Sequence, residues 1–138
     1  MHNFVITADG GSLGNGTKDA IGYGSFIIER VNPKTKSKQF RHTFGTGITN
    51  NEAEYMTVIE ALKLIQSVLE ASGEKVNGTS ILINSDSALV IGQCSNGWKV
   101  KSSRIWPLHH ELSNLIDKFG TVEFEKLSGD KMKSILGH

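Results

Sequence analysis

The apolar run Phe4-Val5-Ile6 between Asn3 and Thr7-Ala8, rich in branched side chains, reads as a strand. Asp9-Gly10-Gly11-Ser12-Leu13-Gly14-Asn15-Gly16 breaks that pattern with four glycines, so the strand is expected to deliver Asp9 into a loop. Ile21 to Arg30 and Lys38 to Gly45 read as two more strands, joined through the polar turn Asn32-Pro33-Lys34. These first three strands are expected to be antiparallel.

Thr49-Asn50-Asn51-Glu52 has the spacing of a capping box, in which the Thr hydroxyl and the Glu carboxylate satisfy free backbone N–H groups at a helix start. A helix is expected from there to about Ala71. At about 100° per residue, Tyr55, Val58, Ile59, Ala61, Leu62, Ile65, Val68 and Leu69 form one apolar stripe. Glu52, Glu60, Lys63, Ser67 and Glu70 are expected opposite, facing solvent. Glu54 falls inside the stripe, where an unpaired carboxylate is costly to bury, and that position asks for a partner.

Ser80 to Ser85 reads as a strongly apolar strand ending in Asp86, with a short helix over Ser87 to Cys94. Ile105 to Phe119 is a second amphipathic helix that tolerates Pro107 in its first turn. Val122 to Leu127 makes a last strand, before Ser128-Gly129-Asp130 and a final turn from Lys131 to His138. The order βββαβαβ, with room for a terminal helix, predicts an α/β architecture in which helices pack on a mixed sheet.

At 138 residues the chain is expected to form a single domain, residues 1–138, and its 38% hydrophobic residues suffice for one core. A disordered tail or a fibrous protein is excluded. The net charge of +1 supplies no global pull toward polyanions, so any such binding has to come from local patches. One cysteine, Cys94, excludes an internal disulfide and a thiolate zinc cluster, leaving oxygen ligands for any metal. No window approaches the 18 apolar residues of a membrane span, and the opening MHNFVITADG lacks a basic flank and a long apolar run. A soluble, unexported cytoplasmic monomer without membrane association is expected.

Asp9, Glu54 and Asp86 each stand where the local pattern does not need an acid. Each also has an ordinary reading: Asp9 as a turn residue before Gly10, Asp86 as a helix N-cap, and Glu54 as an edge residue reaching out to solvent. If the fold brings the three together, each pair at about 4 Å repels by about 4 kcal/mol at an effective dielectric near 20. Such a cluster needs protons or cations. Oxygen ligands without Cys select Mg²⁺ or Mn²⁺, and two such ions about 3.5 to 4 Å apart serve phosphodiester hydrolysis.

The ordered strings Ala8-Asp9-Gly10-Gly11-Ser12, Thr49-Asn50-Asn51-Glu52-Ala53-Glu54-Tyr55, Ser85-Asp86-Ser87-Ala88-Leu89-Val90 and Gly97-Trp98-Lys99-Val100-Lys101 resemble type 1 ribonuclease H over nearly the whole chain. The resemblance implies a ribonuclease H-like fold, with a mixed five-stranded sheet, three antiparallel N-terminal strands and helices packed on it. It implies hydrolysis of the RNA strand of an RNA–DNA hybrid with two Mg²⁺, Mn²⁺ being a substitute, leaving 5′-phosphate and 3′-hydroxyl ends. Asp9, Glu54 and Asp86 match three of the family's metal-binding carboxylates. Asn50 and Asn51 match positions that contact the hybrid's minor groove, and Thr49 one that holds a DNA phosphate; helix capping is a second duty these residues can combine with the first. Backbone groups of Gly10, Gly11 and Ser12 are candidates for reading the RNA 2′-hydroxyl.

Two departures from the family stand out. Many bacterial members insert a basic helix and loop where this chain has only Ser95 to Arg104. Lys99, Lys101 and Arg104, with the aromatic face of Trp98, remain as a strip for DNA phosphates, or as a solvated loop. The family also supplies a fourth ligand, commonly Asp, at a terminal helix preceded by a loop His. Here His138 stands near the fourth-ligand position, as a metal ligand, a proton shuttle or a C-terminal residue without a role. Asp130 stands near the loop-His position, to act on water or product or simply to start a helix. His2, His42, His109 and His110 have no metal spacing.

The glycine string lacks the Gly-Lys-Ser/Thr of a phosphate-binding loop, which argues against an ATPase. Two other readings keep the fold: a noncatalytic hybrid-binding module, and a resolvase- or transposase-like nuclease. The short chain and the Thr49-to-Tyr55 string argue against the latter.

Overall fold

The computed structural model describes residues 2–137. Five strands, β1 (Phe4–Leu13), β2 (Ile21–Arg30), β3 (Lys38–Thr46), β4 (Ser80–Ser85) and β5 (Thr121–Lys126), form one sheet in the order β3-β2-β1-β4-β5. The first three pair antiparallel as expected, whereas β4 joins β1, and β5 joins β4, in parallel. Helix α1 (Asn50–Ala71) follows β3, α2 (Ala88–Ser95) and α3 (Trp106–Lys118) together connect β4 to β5, and α4 (Gly129–Leu136) ends the described chain. Both helices expected between these strands form as separate elements, and the terminal helix forms too. Among the described residues no helix is long and apolar enough to cross a membrane.

The capping box forms as expected, with the Thr49 hydroxyl accepting from the Glu52 N–H and the Glu52 carboxylate accepting from the Thr49 N–H. The apolar stripe of α1 then buries Tyr55, Val58, Ile59, Leu62, Ile65 and Leu69 against Phe4, Ile6 and Ala8 of β1 and Ile81 and Ile83 of β4. Val68 departs from the expectation. It borders an open cleft beside Phe40 and Leu64 and is 46% exposed. Because neighbouring residues of a strand alternate sides, Thr7, Asp9 and Ser25 point to the other face of the sheet. There α4 lies against β1 and β2 with Met132 and Leu136 buried, and the Gln39 side-chain amide donates to the Leu136 carbonyl at 2.8 Å.

The glycines after Asp9 do not form the expected loop, since β1 runs on through Gly10 and Gly11 to Leu13. Close approach explains them: a Cβ on Gly10 would stand 2.5 Å from the Ala53 carbonyl oxygen, and one on Gly11 2.6 Å from the Tyr23 hydroxyl. Without a side chain at Gly10, α1 settles directly on the backbone of β1. We predict that Gly10→Ala lowers stability by about 2 kcal/mol through overpacking of this contact. Urea denaturation checks it, and an unchanged midpoint would contradict the stated origin of the contact.

Candidate active site

The parallel register of β1 and β4 sets two of the acids side by side. Their ladder ends at the pair Thr7 and Asn84, and Asp9 and Asp86 each lie two residues further on, at the same end of adjacent strands. Asp86 is not the cap of the next helix. That duty falls to Ser87, whose Oγ accepts from the Val90 N–H at 3.1 Å while its own N–H donates to Ser85 Oγ at 3.0 Å. The carboxylate of Asp86 is thereby left for another task.

The third acid arrives from α1. Contact of Gly10 with Ala53 and with the Glu54 N atom, 2.8 Å from a Cβ built on Gly10, fixes the second turn of the helix over the end of β1. Glu54 is half-buried there, and its Oε2 is buried without a hydrogen-bond partner among the described residues. Burial pushes the Glu54 carboxyl up to about 7; the Ser87 side chain, hydrogen-bonded to it, opposes the shift, and the charges of Asp86 and Asp9 add to it. Both acids thus act on Glu54 through space.

The start of α4 closes on the same place. A Cβ on Gly129 would come within 3.8 Å of Asp86 Oδ2, the Leu127 N–H donates to the Ser85 carbonyl at 2.9 Å, and Ser128 caps the helix. Asp130 sits exposed in the first turn of α4, as its helix-starting reading has it. His138 lies outside the described residues.

Among the described residues no three His, Cys, Asp or Glu side chains are gathered tightly enough to hold an ion. The charges of Asp9 and Asp86 reach Glu54, but the three carboxyl groups do not form a closed ligand cage. Their chemistry nonetheless fits a hard divalent cation: all donors are oxygens, one buried oxygen lacks a partner, and Glu54 holds its proton far above the usual carboxylate range.

A groove of about 570 Å³ is lined by Thr49, Asn50 and Asn51 from the start of α1 and by Lys99, Lys101 and Arg104 from the loop between α2 and α3. Two sets of expected substrate contacts, far apart along the chain, therefore share one groove. Ser12 is tied into it, donating from its N–H to Asn50 Oδ1 at 2.7 Å and from its Oγ to the Ile48 carbonyl at 2.6 Å. Gly10 and Gly11 are buried beneath Ala53 and Tyr23. Trp98 lies across α2, where a Cβ on Gly92 would stand 2.2 Å from its ring, and it remains 51% exposed.

Glu52 contradicts its expected exposure. It is only 8% exposed and pairs with Arg104 at 2.8 Å, because the loop between α2 and α3 folds back over the start of α1. Sequence reasoning also missed Ser87, since adjacent Asp and Ser are both good caps and spacing alone does not choose between them. It missed Gln93, which accepts from the buried Tyr55 hydroxyl at 2.6 Å and donates to the Lys99 carbonyl at 3.2 Å.

Known proteins can be set beside this geometry. The sequence model of the RNase H family matches residues 1–132. The bifunctional protein Rv2228c of Mycobacterium tuberculosis is 31% identical over 121 residues, an alignment covering 88% of this chain and 30% of that protein, so the chain spans about a third of the curated relative's length. Among solved structures, the N-terminal RNase H domain of Rv2228c, fused to maltose-binding protein, superposes with a TM-score of 0.78 at 24% identity, covering 97% of this chain and 88% of that one. LC11-RNase H1 in complex with an RNA/DNA hybrid gives 0.78 at 22% identity, with 95% and 89% covered. RNase H1 of the halophilic archaeon Halobacterium salinarum gives 0.76 at 18%, with 94% and 89% covered.

The electrostatics give a pH dependence. In an acid whose folded pKa of about 7 lies above the ordinary 4.5, the folded state holds the proton more tightly, so stability is greatest below about pH 4.5 and falls as pH rises through 7. We predict that, without divalent cations, Glu54→Gln stabilises the protein at pH 8 by up to about 3 kcal/mol and changes little at pH 5. Urea denaturation at the two pH values checks it; no gain at pH 8 would contradict the buried charge.

Proposed function

The chain belongs to the ribonuclease H family, and from that premise we propose that it hydrolyses the RNA strand of RNA–DNA hybrids with two divalent cations, Mg²⁺ or in its place Mn²⁺. The family makes the chain a nuclease, a phosphodiester hydrolase. The observation that carries the finer reading is the meeting of Asp9, Glu54 and Asp86 at one sheet end, with the Glu54 carboxyl raised to about 7 and one of its oxygens unpartnered. Likeness to a hybrid-bound RNase H1 supports the choice of substrate.

Asp9, Glu54 and Asp86 would hold the cations. Such ions, when bound, supply an activated water and neutralise charge building on the scissile phosphate. The chain's own residues do the rest. Strands β1 and β4 fix two carboxylates in register, and Ser87 steadies the third through its hydrogen bond to Glu54. Thr49, Asn50 and Asn51 receive the hybrid along the groove, Lys99 and Lys101 face its phosphates, and contact with 2′-hydroxyls selects the RNA strand. Cleavage on the 3′-oxygen side of the phosphate leaves 5′-phosphate and 3′-hydroxyl ends.

The test is cleavage of a labelled hybrid, beside single-stranded RNA and duplex DNA, with and without Mg²⁺. We predict Mg²⁺-dependent cutting of the hybrid's RNA alone. Asp9→Asn or Asp86→Asn should reduce it by more than about 100-fold, since even residues that only support a metal ligand commonly cost 10- to 100-fold. Hybrid binding without cleavage by the wild-type chain, or near-normal cutting by either variant, would overturn the proposal.

A further inference from the structure

We propose that Arg104 is a positioning residue, which fastens the loop over residues 96–105 to the start of α1 through Glu52 and so builds the second wall of the substrate groove. The proposal rests on the hybrid-cleaving reading for its consequence, and on the following geometry for its existence.

Arg104 Nη2 stands 2.8 Å from Glu52 Oε1 and also donates to the Gly47 carbonyl. The same Glu52 oxygen accepts the Thr49 N–H at 2.9 Å, so one carboxylate both caps α1 and anchors the loop. Glu52 is buried, and a buried carboxylate without a countercharge is strongly unfavourable. Arg104 supplies the charge, with its Nη2 facing both the Glu52 carboxylate and the Gly47 carbonyl. Two neutral fastenings hold the loop further back: the Trp98 N–H to the Gly92 carbonyl at 3.0 Å, and the Gln93 amide to the Lys99 carbonyl at 3.2 Å. Among the described residues, the Arg104 pair alone joins the loop's far end to α1 by charge. Lys99 and Lys101 ride on this loop, and Thr49, Asn50 and Asn51 sit on the cap it is tied to. The pair therefore sets the width of the groove, and it cancels a negative charge that would otherwise face the phosphates.

The competing role for Arg104 is direct contact with a phosphate, in which case Glu52 merely competes for it. The two roles give opposite signs for Glu52→Gln, a variant that keeps the cap because its amide oxygen still accepts the Thr49 N–H. Binding of a fluorescent RNA–DNA hybrid is measured by anisotropy in EDTA, so that no cleavage intervenes, and amide hydrogen exchange over residues 96–105 is followed in the same proteins. The latch predicts that Glu52→Gln and Arg104→Ala each weaken binding about tenfold, that the double variant is no worse than either, and that both singles speed exchange across the loop. In turnover assays the rise should fall on KM more than on kcat. Tighter binding by Glu52→Gln would overturn the latch in favour of a phosphate contact. Unchanged loop exchange in both variants would overturn it whether or not hybrid binds, whereas a wild-type chain that binds no hybrid counts against the substrate reading instead.

Discussion

Burial of the Glu54 carboxyl beside Asp9 and Asp86 is the constraint that the surrounding structure has to hold in place. Asp9 and Asp86 are brought level by the parallel pairing of β1 and β4, and Glu54 is pressed toward them by a helix resting on bare glycine backbone. The backbone of α1 at Glu54 is fixed by the core that the helix shares with Phe4, Ile6, Ile81 and Ile83. A proton on Glu54 relieves the strain in the cation-free chain, and a divalent cation would relieve it in a working one.

The groove applies the same economy to binding. With a net charge of +1 the chain exerts little pull on a polyanion at a distance, yet Lys99, Lys101 and Arg104 are gathered along one side of a single cleft. A short loop achieves this by leaning on α1, and the buried Glu52 that receives Arg104 is also the residue that caps the helix. The cap, the loop and the carboxylate cluster are thus linked through the first two turns of α1.

Much of this was legible in the sequence because it follows from local chemistry. The capping box at Thr49, the stripe of α1 and the break after Ser85 each depend on residues near one another in the chain, and all three appear where expected but for Val68 at the stripe's margin. Glu54 stood out because a carboxylate inside an apolar stripe violates the pattern, and burial is what the structure shows. The failures share a different cause. Gly10 and Gly11 read as a loop because glycine signals either a turn or a close approach, and only Ala53 and Tyr23, distant in sequence, decide between the two. Glu52 read as exposed because its partner, Arg104, lies 52 positions away across a loop whose path no periodicity reveals. Ser87 was hidden by Asp86, its equal as a cap.

The central claim is that Asp9, Glu54 and Asp86 would take a cation in place of the proton that Glu54 holds in its absence, and proton release on metal binding tests it most directly. Calorimetric titration of the protein with Mn²⁺ at pH 6.5, in two buffers of different ionisation enthalpy, counts the protons displaced. The account predicts binding accompanied by release of most of a proton, abolished in Glu54→Gln. Binding with no proton release, or no binding at all, would contradict it.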